Sequence, residues 1–203
     1  PEELTECIVE QRLDQLTDLA QQLQSKDVKV TAQVCIGKNC IEIIKAVINS
    51  KSDLLIKVAN DCQQSFDSND FHLMRKCAIH VWIIKTTQFN TINKILAAVD
   101  LSMEQHAEGR AQNRIIMDIA SSLSKFENAK LTVLSCWQLY GEQALKHGAF
   151  ARVSTDKIDE LLKVEENEYR VSLEILVSEY ADSSFEQCLE KGSPKLLIPE
   201  YVN

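Results

Sequence analysis

The chain has 203 residues, 45% of them hydrophobic and 26% charged, with a formal net charge of −8. That is the make-up of an ordinary globular protein, with room for one large domain or two small ones. The acidic charge is spread along the chain with no basic stripe, which argues against nucleic acid as the main ligand and against anionic membrane surfaces, because neutralising phosphates takes clustered Lys and Arg.

No apolar run approaches the roughly 20 residues that span a bilayer. The start, PEELTECIVE, is acidic and lacks a signal pattern. The first residue is not Met, as in a trimmed chain. Cys7, Cys35, Cys40, Cys62, Cys77, Cys136 and Cys188 are irregularly spaced, with no C-x-x-C, and most sit in apolar runs. They read as reduced thiols of a cytoplasmic protein.

In chain order, residues 5–24 place Val9, Leu13, Leu16, Ala20 and Leu23 at helical spacing. Val28–Cys35 alternates like a strand and is broken by Gly37-Lys38-Asn39, with Asn39 as the expected N-cap of a helix to Asn49. Asp53–Val58 reads as a short buried strand, Ala59–Asp70 as a loop, Phe71–Lys76 as a short helix and Ile79–Lys85 as a second buried strand.

After a linker at 86–93 the cycle restarts. Ile95–Val99 is an expected strand, followed by a loop and helix entry at Met103–Arg110. A helix at Asn113–Phe126 turns Ile115, Ile116, Ile119, Leu123 and Phe126 inward, and Leu131–Trp137 is a strand. Tyr140–Ser154 is an irregular excursion. Asp156 is the expected cap of a long helix to about Tyr180, with Ile158, Leu162, Tyr169, Leu173, Leu176 and Tyr180 on its apolar face. Phe185–Glu190 is a strand, and Gly192-Ser193-Pro194 opens a last helical turn. Strands alternating with helices predict an α/β fold with a mainly parallel sheet and helices on both faces.

Two segments repeat one pattern: a long helix, a strand, a short Gly-containing loop and a new helix, centred on Gly37 and on Gly192. KILAAVDLS at 94–102, KLTVLSCW at 130–137, KGSPKLLI at 191–198 and FHLMRKCAIHVWIIK at 71–85 occur in an order that resembles the universal stress protein family. The run L-x-R-K-C, a strand, then a new first strand is similar to its tandem, E-type members. The resemblance implies a Rossmann-like fold of the adenine nucleotide alpha hydrolase type. It also implies that residues 1–88 are the back half of one module and 92–203 the front half of the next. The missing halves would then come from one another or from a second chain.

In ATP-binding relatives the first strand ends on an Asp that contacts adenosine. Asp100, with Val99 and Leu101, is the matching candidate. Their glycine-bearing phosphate loop follows the fourth strand, where this chain has no glycine between Val58 and Cys77, and Asp61 and Asp67 stand instead. His72 with Cys77 and Cys35 with Cys40 are too widely spaced for a metal site. Ser154, Ser193 and His147 form no nucleophile constellation, and G-x-S-x-G is absent. Catalytic and metal residues are therefore none. The insertion at 141–154 is a candidate binding loop. Val81, Trp82, Ile83 and Ile84 form a two-sided apolar strand of the kind through which the family pairs modules.

The expected protein is a non-enzymatic cytoplasmic stress protein without a cofactor, acting through binding and through a second module or a homodimer partner. An ATP- or AMP-binding, or slowly nucleotide-hydrolysing, protein is the alternative, and a dimerisation scaffold without a small ligand is the second.

Overall fold

A computed structural model describes residues 2–25, 27–59, 67–85, 92–147, 154–182 and 184–202. The fold is α/β with parallel sheets flanked by helices, as the alternating pattern predicts. The chain divides into two compact units, Pro1–Asn90 and Thr91–Asn203.

The second unit carries β3 (Lys94–Val99), α4 (Ala107–Glu127), β4 (Lys130–Trp137), α5 (Glu142–His147), α6 (Thr155–Ser178), β5 (Phe185–Lys191) and α7 (Pro194–Val202). Its sheet runs β3-β4-β5, all parallel, with Ala97 beside Val133 and Leu134 beside Cys188. Side chains alternate across a strand. Ala97, Val99, Leu131 and Val133 therefore share one face, and there they meet Met117 and Ala120 of α4 and Leu173, Leu176 and Val177 of α6. Each large apolar side chain fully buried there contributes about 1.5–3 kcal/mol. Leu134, 1% exposed, points to the opposite face, where α7 crosses back over β4 and β3.

Two expectations need correction here. α4 was expected to bury Ile119 and Phe126, but these are 51% and 85% exposed. The helix has two apolar stripes, and the one that docks runs through Asn113, Met117 and Ala120. Secondly, Ser154 rather than Asp156 caps α6, its side chain accepting from the Lys157 N–H; Asp156 lies in the first turn.

The first unit contains α1 (Glu2–Leu23), α2 (Asn39–Ser50), β1 (Leu54–Val58), α3 (Ser68–Lys76) and β2 (His80–Ile84). β1 and β2 pair in parallel, Ile56 beside Trp82. Leu73, fully buried, anchors α3, and Val47 anchors α2. The expected strand at 28–35 does not form. The alternating residues have no ladder partner among the described residues, and a strand needs a neighbour for its backbone groups. Side chains take part of that role, with the Val30 N–H donating to Gln24 Oε1 at 2.9 Å. Lys38, not Asn39, is the N-cap of α2. Much of the expected 59–70 loop lies outside the described residues; its last part is the first turn of α3.

The repeat is visible at its two glycines. Gly37 has φ +152° and Gly192 φ +153°, a region that side-chain-bearing residues rarely adopt. A Cβ on Gly37 would lie 2.8 Å from Glu42, and one on Gly192 would lie 2.9 Å from Leu197, in each case the fifth residue onward. The same turn launches α2 and α7.

Candidate functional site

The C-terminal ends of parallel strands are where open α/β sheets bind ligands, because loops diverge there and leave a crevice. In the second unit this end holds a cleft of about 370 Å³. Asp100, Ser102, Cys136, Trp137, Tyr169 and Gly192 are among its lining residues.

The turn after β3 is held by side chains close in sequence and by one from α4. Asp100 caps a single 3-10 turn, Leu101–Met103, its Oδ1 accepting from the Ser102 N–H at 3.0 Å and the Ser102 hydroxyl at 2.6 Å. Asn113, 2% exposed, accepts from the Asp100 N–H at 3.1 Å. Its own amide donates to the Asp100 carbonyl at 2.9 Å and to Glu104 Oε1 at 2.6 Å. Asp100 is thus fixed at the rim by a buried amide whose bonds leave little freedom.

Across the cleft, the Trp137 and Tyr169 rings stand 6.4 Å apart at 37°. Burial, with Glu165 and Asp100 adding, pushes the Tyr169 phenol above its usual range. Burial, with Glu190 adding, also pushes the Cys136 thiol up, and a protonated thiol is a poor nucleophile. Lys191 lies beside the site, its Nζ 5.7 Å from the Trp137 ring centre and 2.8 Å from Glu142 Oε1. Lys146 also reaches Glu142, and the two lysines hold that carboxyl below its ordinary range. Among the described residues, no Lys or Arg lines the cleft.

Of the sequence candidates, Asp100 and Val99 line the cleft, whereas Leu101 is 4% exposed and packs into the core. Ser102, Asn113, Trp137 and Tyr169 were missed as a group. Ser102 could have been found from the Asp-x-Ser turn; the others meet through tertiary packing alone. Val81, Ile83 and Ile84 are half-buried on β2, and Trp82 is 39% exposed. The 141–154 loop contains α5, while residues 148–153 lie outside the described part.

At the start of α3, Asp67 and Asp70 form a capping box, and Lys57 of β1 donates to Asp70 at 2.6 Å. The helix terminus where a phosphate would be expected is thus occupied by carboxylates of the chain itself. Asp61 lies outside the described residues. Among the described residues no three His, Cys, Asp or Glu side chains converge to hold a metal ion, and no helix is long and apolar enough to cross a membrane.

No family model matches the chain. Over 80 residues, 37% of its length, it is 30% identical to universal stress protein E of Escherichia coli K12, and it matches the proteins of that name from Shigella flexneri and Salmonella typhi at the same identity over the same length. The chain spans about a quarter of the length of these curated relatives. A crystal structure of a functionally unknown Pseudomonas aeruginosa protein superposes with a TM-score of 0.70 at 24% identity, over 93% of this chain and 62% of that one. The structural likeness establishes the fold, and the 80-residue similarity supports a universal-stress-protein-like family.

Proposed function

We infer that the protein is a cytoplasmic, tandem-type universal stress protein that acts in a stress response by binding and by module or subunit association, without catalysis. The observation that carries this reading is the chemistry of the cleft at the ends of β3 and β4. Its ionisable side chains are Asp100, Cys136 and Tyr169. Asp100 already accepts two bonds from Ser102, and the other two groups are held toward their protonated forms. That is a set suited to recognising hydroxyls and an apolar ring, and poor at activating a nucleophile. The similarity to universal stress protein E supplies the stress-response part. Association through Val81, Trp82, Ile83 and Ile84 is supported by the apolar character of β2 and the exposure of Trp82. The six described cysteines, all unpaired, fit a cytoplasmic setting.

Nucleotide binding remains the competing reading, since by the family resemblance Asp100 matches the residue that contacts adenosine in ATP-binding members. A thermal-shift titration with ATP, ADP and AMP separates the two. No saturable stabilisation by the phosphorylated ligands is expected, because no Lys or Arg among the described residues lines the cleft. Stabilisation of about 2–3 kcal/mol near a hundredfold excess over Kd would install the competing reading instead.

A further inference from the structure

α4 and α6 cover the same face of the second unit's sheet and are tied to each other at the end of α6. Arg114 of α4 donates through Nε and Nη2 to the two carboxylate oxygens of Glu179, and the Tyr180 hydroxyl donates to Asp118 of α4 at 2.8 Å. A helix so placed is ordinarily polar on the side turned away from the core. Both of these are apolar there. Ile119 is two residues from the buried Met117, and Val171 and Ile175 are each two residues from the buried Leu173, so each stands about 160° round its helix from the core. Val164, Val171 and Ile175 are 53%, 44% and 60% exposed and form one stripe about 17 Å long on α6.

The charge around that stripe is one-sided. α6 carries seven carboxylates against Lys157, Lys163 and Arg170, and two of those cations are paired along the helix, Lys157 with Glu160 and Arg170 with Glu166. Glu168 lies one turn from Val164 and Glu174 adjoins Ile175; both are exposed, and neither is in an ion pair among the described residues. α4 adds three charges of each sign. An exposed apolar stripe with a polar rim marks a docking surface, and the sign of the rim selects the partner. A second copy would set carboxylates against carboxylates, and α1, which also exposes apolar residues, is itself acidic.

We propose that the outer face of α4 and α6 docks a basic amphipathic helix of another protein, with the partner's apolar residues on Ile119, Val171 and Ile175 and its Lys or Arg side chains on Glu168 and Glu174. The length of the stripe suits partner anchors spaced i, i+4 and i+7. This partner is separate from association through β2 and requires none of it.

The probe is a fluorescent peptide of about 18 residues, five helical turns, with leucines at i, i+3, i+4 and i+7 spacing and lysines elsewhere. In anisotropy titrations it should bind saturably, and a peptide of the same composition with its leucines scattered round the helix should bind about tenfold more weakly. Ile175→Asp and Ile119→Asp, each at an exposed position, should cost about tenfold in affinity with an unchanged circular dichroism spectrum. Glu168→Lys together with Glu174→Lys should weaken binding as much and flatten its salt dependence. In NMR spectra of the wild type, the peptide should shift amides within 115–126 and 164–175. No saturable binding, equal binding of the two peptides, shifts confined to other residues, or full affinity in the variants would overturn the proposal. So would a light-scattering mass of twice 23.0 kDa that Ile175→Asp returns to the protomer's, since a second copy would then cover the face.

Discussion

The two units share a repeated pattern around Gly37 and Gly192 and end in different states. The second unit has three consecutive parallel strands and folds α4 and α6 onto them in one contiguous core. Among the described residues the first has two strands, one extended segment without a ladder partner and a 22-residue helix, α1, whose Leu4, Ile8, Leu19 and Leu23 are at least half exposed. Hydrophobic periodicity specifies which face of an element wants cover, while the presence of neighbouring strands decides whether the cover exists. α1 and α6 occupy equivalent places in the repeat, yet among the described residues only α6 packs on a sheet.

Removing the carboxylate of the buried ion pair should test the first unit hardest. Asp70, 0% exposed, holds Lys57 and the first turn of α3 together, so Asp70→Ala should cost about 3–5 kcal/mol. In urea unfolding, a loss confined to a first-unit transition is expected. Met117→Ala in the second unit creates a cavity and should cost about 2–5 kcal/mol, whereas Leu4→Ala on exposed α1 should stay within about 0.5 kcal/mol. Equal costs for those two would erase the contrast between the units. Asn113→Ala leaves the Asp100 N–H and the Glu104 carboxylate without their amide partner, for about 1–3 kcal/mol. It should also broaden the amide resonances of 100–104 in NMR spectra.

The smallest effect is a pH dependence. Glu142 and Glu186 are both held below the ordinary carboxylate range by lysine partners in the second unit. A depressed pKa contributes stability above the unfolded value, and that stability is lost as pH falls through the folded one. The second unit should therefore weaken from about pH 5 downward. Lys191→Met should raise the Glu142 carboxyl pKa in an NMR titration. An unchanged value would mean that Lys146 alone sets it.

The strand and helix order was legible because β1, β2 and β4 are near-continuous apolar runs and α6 keeps its period over 24 residues. The segment at 28–35 was misread because alternation reports a preference for extended backbone and says nothing of a ladder partner. α4 was misread at Ile119 and Phe126 because two stripes compete on one helix and only the fold chooses between them. Asp100 could be placed from its position at a strand end. Its setting depends on Asn113, thirteen residues away, and on Tyr169, sixty-nine away, which no local pattern joins.

Native-state hydrogen exchange measured residue by residue tests the division most directly. The amides of β4, paired on both sides, should exchange only through global unfolding of the second unit, while those of 28–35 should exchange at nearly the rate of an open chain. Protection at 28–35 equal to that of β4 would mean the segment is a paired strand, and would contradict the account of the first unit.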